Sequence, residues 1–178
     1  GRAFLHTLSR ALSSRMKHYP PRSARPRRPS ITIPPFHAVP LRHRADGWTP
    51  VRQAEFIAHL AATRSVAAAA RGVSMARETA YRLRARPGAQ GFAAAWDVAL
   101  GSVRSEAGRA RLEAALAAAR AARQADRKVT IPELEWRVAT GLWQVMLRGG
   151  RYVGVVRKPD ETALLALLSR TRAAAGRA

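Results

Sequence analysis

The chain has 178 residues, with 32 Lys and Arg against 11 Asp and Glu, a formal charge of +21 and a pI near 12.0. That imbalance points to an anionic partner. The absence of cysteine excludes disulfides, thiolate zinc sites and cysteine nucleophiles, and no run approaches the ~20 apolar residues of a spanning helix, so no integral membrane association is expected.

Residues 1–47 differ in composition from the remainder of the chain. They hold Pro20, Pro21, Pro26, Pro29, Pro34, Pro35 and Pro40, with ten Lys or Arg and a single acid, Asp46. Proline removes backbone donors and like charges repel, so this basic arm is expected to be largely disordered. Within it, Phe4, Leu8, Leu12 and Met16 recur every fourth residue among Arg10, Arg15 and Lys17, the pattern of a basic amphipathic helix. Such a start reads either as a targeting or membrane-surface segment or, since the chain begins at Gly1, as a fragment or over-extended frame, and the second reading is preferred.

The folded part is expected to begin at Trp48. Thr49 and Pro50 form an N-cap and N1 pair, followed by an apolar face of Val51, Phe56, Ile57 and Leu60. A second helix follows Ser65, a third ends before Pro87-Gly88, and a fourth carries Phe92, Trp96, Ala99 and Leu100. Residues 48–101 would then form a three- or four-helix domain. Residues 102–128 read as a long Ala/Arg-rich central helix. Its thin stripe of Val103, Ala107, Leu112, Leu116 and Ala119 requires a neighbouring helix or a second copy.

Residues 129–178 change period. Thr130-Ile131-Pro132-Glu133 has capping-box spacing, and the helix it opens, with Leu134, Trp136 and Val138, ends at Gly141. Leu142–Arg148 and Arg151–Arg157 flank Gly149-Gly150 as a β-hairpin, which is expected to lie on the closing helix or to pair with another subunit. Asp160 caps that closing helix, whose buried face would be Ala163, Leu164, Leu167 and Leu168. The fold class is therefore mainly α, with a small hairpin.

The stretch Ser65 to Arg84 carries the functional signal. It has the small residues, tight turn and apolar offsets of a helix-turn-helix. A register with Gly72 in the turn puts Arg71 and a position near Glu78 in the core. A register with Ser74 in the turn buries Ala69, Ala70, Val73, Met75, Ala80 and Leu83, all apolar, and is preferred. Ser74 then stands where glycine is favoured, and Ala76 where a hydroxyl cap is usual. The outward face presents Arg77, Glu78, Thr79, Tyr81, Arg82, Arg84 and Arg86 as DNA-binding residues. Arg77 and Glu78 suit base edges, guanine O6/N7 and cytosine N4 respectively, and the remainder suit phosphates.

Catalysis finds no matched groups. His6, His18, His37 and His43 lie in the arm, His59 stands alone, and Glu133 and Glu135 point to different helix faces. Gly149 to Gly154 lacks the Lys-Ser/Thr ending of a phosphate loop. No enzyme activity, metal or cofactor is expected.

The runs Gly47-Trp48-Thr49-Pro50, Val66 to Arg84, Arg86-Pro87-Gly88 and Gly91 to Asp97 resemble a group of alphaproteobacterial helix-turn-helix proteins. Gly150 to Gly154 and Ala163 to Leu168 match their ending. The order of elements is distantly similar to phage small terminase subunits. The resemblance implies a bacterial, cytoplasmic, nucleoid-associated protein that recognises double-stranded DNA without catalysis. It also implies a homo-oligomer formed through the central helices, with a large terminase motor subunit as a further partner. The competing readings are a dimeric transcriptional regulator on a palindrome, and a non-specific, charge-driven binder of nucleic acid or membrane surfaces acting through the arm.

Overall fold

The computed structural model describes residues 32–42, 44, 46–101, 105–124 and 129–176; the amphipathic pattern from Phe4 to Met16, and Val103, lie outside them. Seven helices are present among these residues: α1 (Pro50–Thr63), α2 (Val66–Gly72), α3 (Arg77–Arg84), α4 (Gln90–Leu100), α5 (Glu106–Arg123), α6 (Ile131–Thr140) and α7 (Glu161–Ala175). Strands β1 (Phe36–His37), β2 (Leu142–Arg148) and β3 (Arg151–Lys158) form one antiparallel sheet in the order β1-β2-β3.

The hairpin forms where the glycine pair places it. Gly149 and Gly150 have φ of 59° and 76°, the conformation a primed two-residue turn needs, and a bulge between Met146 and Leu147 shifts the register further along. The support of the hairpin differs from expectation. It packs against α1 rather than α7, and its third strand comes from the proline-rich region, with Phe36 opposite Trp143 and His37 opposite Leu142.

The expectation of a disordered segment reaching to residue 47 is therefore corrected: Ile33, Phe36, Ala38 and Val39 are buried in the main core. The backbone of Val39 is satisfied by Gln53, a fully buried polar residue on α1. Val39 N–H donates to Gln53 Oε1 (2.7 Å), while Gln53 Nε2 donates to the carbonyls of Val39 (3.2 Å) and Trp48 (3.1 Å). The side-chain amide thus imitates a neighbouring strand where the prolines prevent a longer one.

The core is built on aromatic contacts. Phe56 on α1 meets Trp48, Phe92 and Trp96 at centroid separations of 5.4, 6.0 and 4.9 Å, and Phe36 meets Phe92 edge-on at 6.1 Å. Ile57 and Leu60 are buried as expected. Val51 and Leu100, assigned to buried faces by periodicity, are exposed; Val51 lies in the first turn of α1 and Leu100 is the last residue of α4. The central helix α5 packs on α4 of the same chain through Ala115 and Ala119, with Leu112 and Leu116 half-buried beside them and Ala107 exposed.

Helices α6 and α7 enclose a second, smaller core of Val129, Leu134 and Ala163, with Val138, Ala166 and Leu167 at its edge. Leu164 and Leu168, expected on the buried face of α7, are exposed, since α7 turns Ala163, Ala166 and Leu167 towards α6. Long-range hydrogen bonds tie this unit to the main body, two of them to the segment around β1. Trp136 Nε1 donates to Ala38 O (2.9 Å), and His37 Nε2 lies 2.5 Å from Asp160 Oδ2.

Candidate nucleic-acid interface

Helix α2 starts at Ser65, whose hydroxyl accepts from Ala68 N–H, and ends at Gly72. Four residues separate it from α3, and among them Ser74 takes the left-handed conformation at φ 57°. Ala69, Ala70, Val73, Ala80 and Leu83 are buried and Met75 packs against the same core. Arg71, which the Gly72 register would have placed inside, is exposed, and so is Glu78, near the other position that register would bury. The Ser74 register is thus the one adopted. Its two expected weaknesses are also present: a non-glycine residue in the left-handed region, and Ala76 as an N-cap with no side-chain bond.

The phase of α3 divides the seven predicted residues. Arg77, Glu78, Tyr81 and Arg82 form one exposed face, with Arg86 exposed just beyond the helix end. Arg77 Nη2 lies 3.2 Å from Glu78 Oε1, both side chains remaining in solvent. The Glu78 carboxyl is held below its ordinary range by its own backbone N–H at the helix start and by Arg77 and Arg82, so it is ionised at neutral pH.

Thr79 and Arg84 are engaged inside the domain instead. Thr79 Oγ1 accepts from Trp48 Nε1 (3.1 Å) and donates to Ala76 O (2.7 Å). Arg84 Nη2 donates to Asp97 Oδ1 at 2.7 Å and its guanidinium lies 5.5 Å from the Trp96 ring centre. Tyr81 straddles the two groups, half-exposed with its ring 5.4 Å from that of Trp96. Trp48, Trp96 and Asp97 position α3, and sequence reasoning did not assign them that role. The one available signal was that large aromatic residues are scarce in this chain and two of these three are tryptophan.

Several titratable groups away from α3 hold the fold together. Asp160 Oδ1 caps α7 by accepting from Ala163 N–H (3.0 Å) while Oδ2 meets His37. Burial pushes the His37 imidazole below its ordinary pKa against the opposing pull of Asp160, so it stands neutral at pH 7 and donates Nε2–H to the carboxylate. Glu133 pairs with Arg137 at 2.6 Å, and the His59 ring rests 4.9 Å from Tyr152. Among the described residues no three His, Asp or Glu gather to hold a metal ion, and no helix is long and apolar enough to cross a membrane.

Comparison with family models, curated proteins and solved structures gives no match to the chain. The functional reading therefore rests on the geometry of α2, α3 and their supports.

Proposed function

We propose that the chain is a non-catalytic, sequence-recognising double-stranded DNA-binding protein that uses α3 as its recognition helix, in a bacterial cytoplasm. The observation that carries this reading is the division of α3. One face is fixed by Trp48, Asp97 and the buried residues Ala80 and Leu83, while the opposite face offers Arg77 and Glu78 to solvent in the first turn and Tyr81 and Arg82 in the next. A recognition helix needs this combination, because base readout demands a rigid element whose first turns enter the major groove. The charge of +21 supplies the phosphate attraction, and Arg86 and Arg71 flank the reading face.

Between packaging and regulation, one observation favours regulation. A terminase-like ring was expected to assemble through the central helix, yet among the described residues of its apolar stripe Ala119 is buried and Leu112 and Leu116 pack half-buried on the core of the same chain, which leaves only Ala107 exposed. Electrophoretic and anisotropy titrations against a selected duplex and a scrambled one, for the full chain and for Arg77→Ala/Arg82→Ala, test the proposal. Specific binding lost in the double variant supports it, and equal binding to both duplexes contradicts it.

A further inference from the structure

Helix α7 is apolar on two opposite sides. One side, Ala163, Ala166 and Leu167, packs on α6. The other carries Leu165 and Leu168, 68% and 56% exposed, flanked by Leu164 at 41%. Leu165 and Leu168, with Ser169, Thr171, Arg172 and Ala175, line a shallow open depression along the helix. A helix with apolar residues all round is normally covered on both sides.

The charges on this outer stripe specify what covers it. Glu161, Leu165, Leu168 and Arg172 follow one another at intervals of four, three and four residues and so share one face. The midpoint between Leu165 and Leu168 is also the midpoint between Glu161 and Arg172. A second copy laid antiparallel about a two-fold axis through that point sets Leu165 against the partner's Leu168 and Glu161 against the partner's Arg172, each pair occurring twice. The stripe is thus self-complementary in shape, hydrophobicity and charge. It would also bring the negative end of each α7 beside the positive end of its partner.

We infer that the chain forms a two-fold dimer through an antiparallel α7 pair centred between Leu165 and Leu168. This does not depend on DNA binding, and a chain that dimerises without recognising DNA would leave it intact.

Sedimentation equilibrium of the full chain over a wide concentration range tests it, with circular dichroism as the check that each variant is folded. Leu165→Glu/Leu168→Glu, two exposed positions, is expected to leave the fold unchanged and the chain monomeric. Glu161→Arg alone and Arg172→Glu alone are each expected to weaken dimerisation by about tenfold, because symmetry converts two attractive pairs into repulsive ones. The combined Glu161→Arg/Arg172→Glu chain is expected to return to within about threefold of the parent. Both single reversals oppose the helix dipole, so their combination restores association only if the two residues meet across the interface. A parent chain that stays monomeric, a dimer indifferent to the glutamate pair, or a double reversal no better than the singles would each overturn the inference.

Discussion

The indole Nε1 of Trp48 donates to Thr79 Oγ1 at 3.1 Å, joining the residue before the N-cap of α1 to the first turn of α3. The same hydroxyl donates to Ala76 O, so one side chain both closes the start of α3 and fixes it to the domain. Thr79→Val keeps the shape and removes both bonds. It is expected to lower stability by about 1 to 2 kcal/mol, leaving the Trp48 N–H without its acceptor, and to weaken specific DNA binding through a mobile helix start. Thermal denaturation and binding titrations of this variant check both effects.

Arg82 and Arg84 lie two residues apart and should behave oppositely. Arg82 faces solvent, so Arg82→Ala is expected to reduce DNA affinity about tenfold while leaving the melting temperature unchanged. Arg84 bonds Asp97 and covers Trp96, so Arg84→Ala is expected to cost roughly 1 kcal/mol of stability, discounted for its partial exposure, with a smaller effect on affinity. Paired melting and anisotropy measurements would contradict the assignment if the two variants exchanged these behaviours.

The turn between α2 and α3 is not optimised for stability. Ser74→Gly relieves a left-handed residue at φ 57°, and Ala76→Ser supplies the missing N-cap. Each is expected to raise stability by about 0.5 to 1 kcal/mol, less than additively because the sites share one turn. Chemical denaturation reads the gain.

Glu78 is ionised on the exposed face of α3, where, if that face reads DNA as proposed, it would repel phosphate and could accept from a cytosine amine. Glu78→Gln is expected to tighten binding to random-sequence DNA about threefold while narrowing the ratio of specific to non-specific affinity. An unchanged ratio would place Glu78 away from the bases.

His37 couples β1 to the cap of α7, with Asp160, Arg137 and Glu133 around it. Its pKa is lower folded than unfolded, so the unfolded chain binds the proton more readily. Stability is therefore fully present above about pH 6.5, falls as pH drops below that value, and levels off once the folded imidazole is also protonated. His37→Gln should flatten that slope in melting curves between pH 7.5 and 5. Asp160→Ala, which removes both the cap and the His37 acceptor, is expected to cost about 2 to 4 kcal/mol.

What could be read from the residues alone was local. The hairpin followed from two glycines between alternating strands, the caps from Thr49, Thr130 and Asp160, and the register of α2 and α3 from a set of offsets that only one alignment makes apolar. What could not be read was long-range. Phe36 and His37 lie among prolines with no strand periodicity, and their partners Trp143 and Leu142 are more than a hundred residues away. Within the site, helix phase separated Arg77 and Arg82 from Thr79 and Arg84 only once Trp48 and Asp97 were in place, since polarity alone gives all four the same appearance.

The most direct measurement of the central claim is binding-site selection on random duplex DNA, comparing the full chain with Arg77→Ala/Arg82→Ala. The full chain is needed because a start at residue 45 would remove Ile33, Phe36 and Val39 from the core. The expected result is one enriched motif, palindromic if the α7 pair relates two recognition helices, and absent with the equally stable double variant. Selection that enriches nothing, with affinity that merely fades as salt rises, would mean that charge alone holds the DNA and that α3 does not read it.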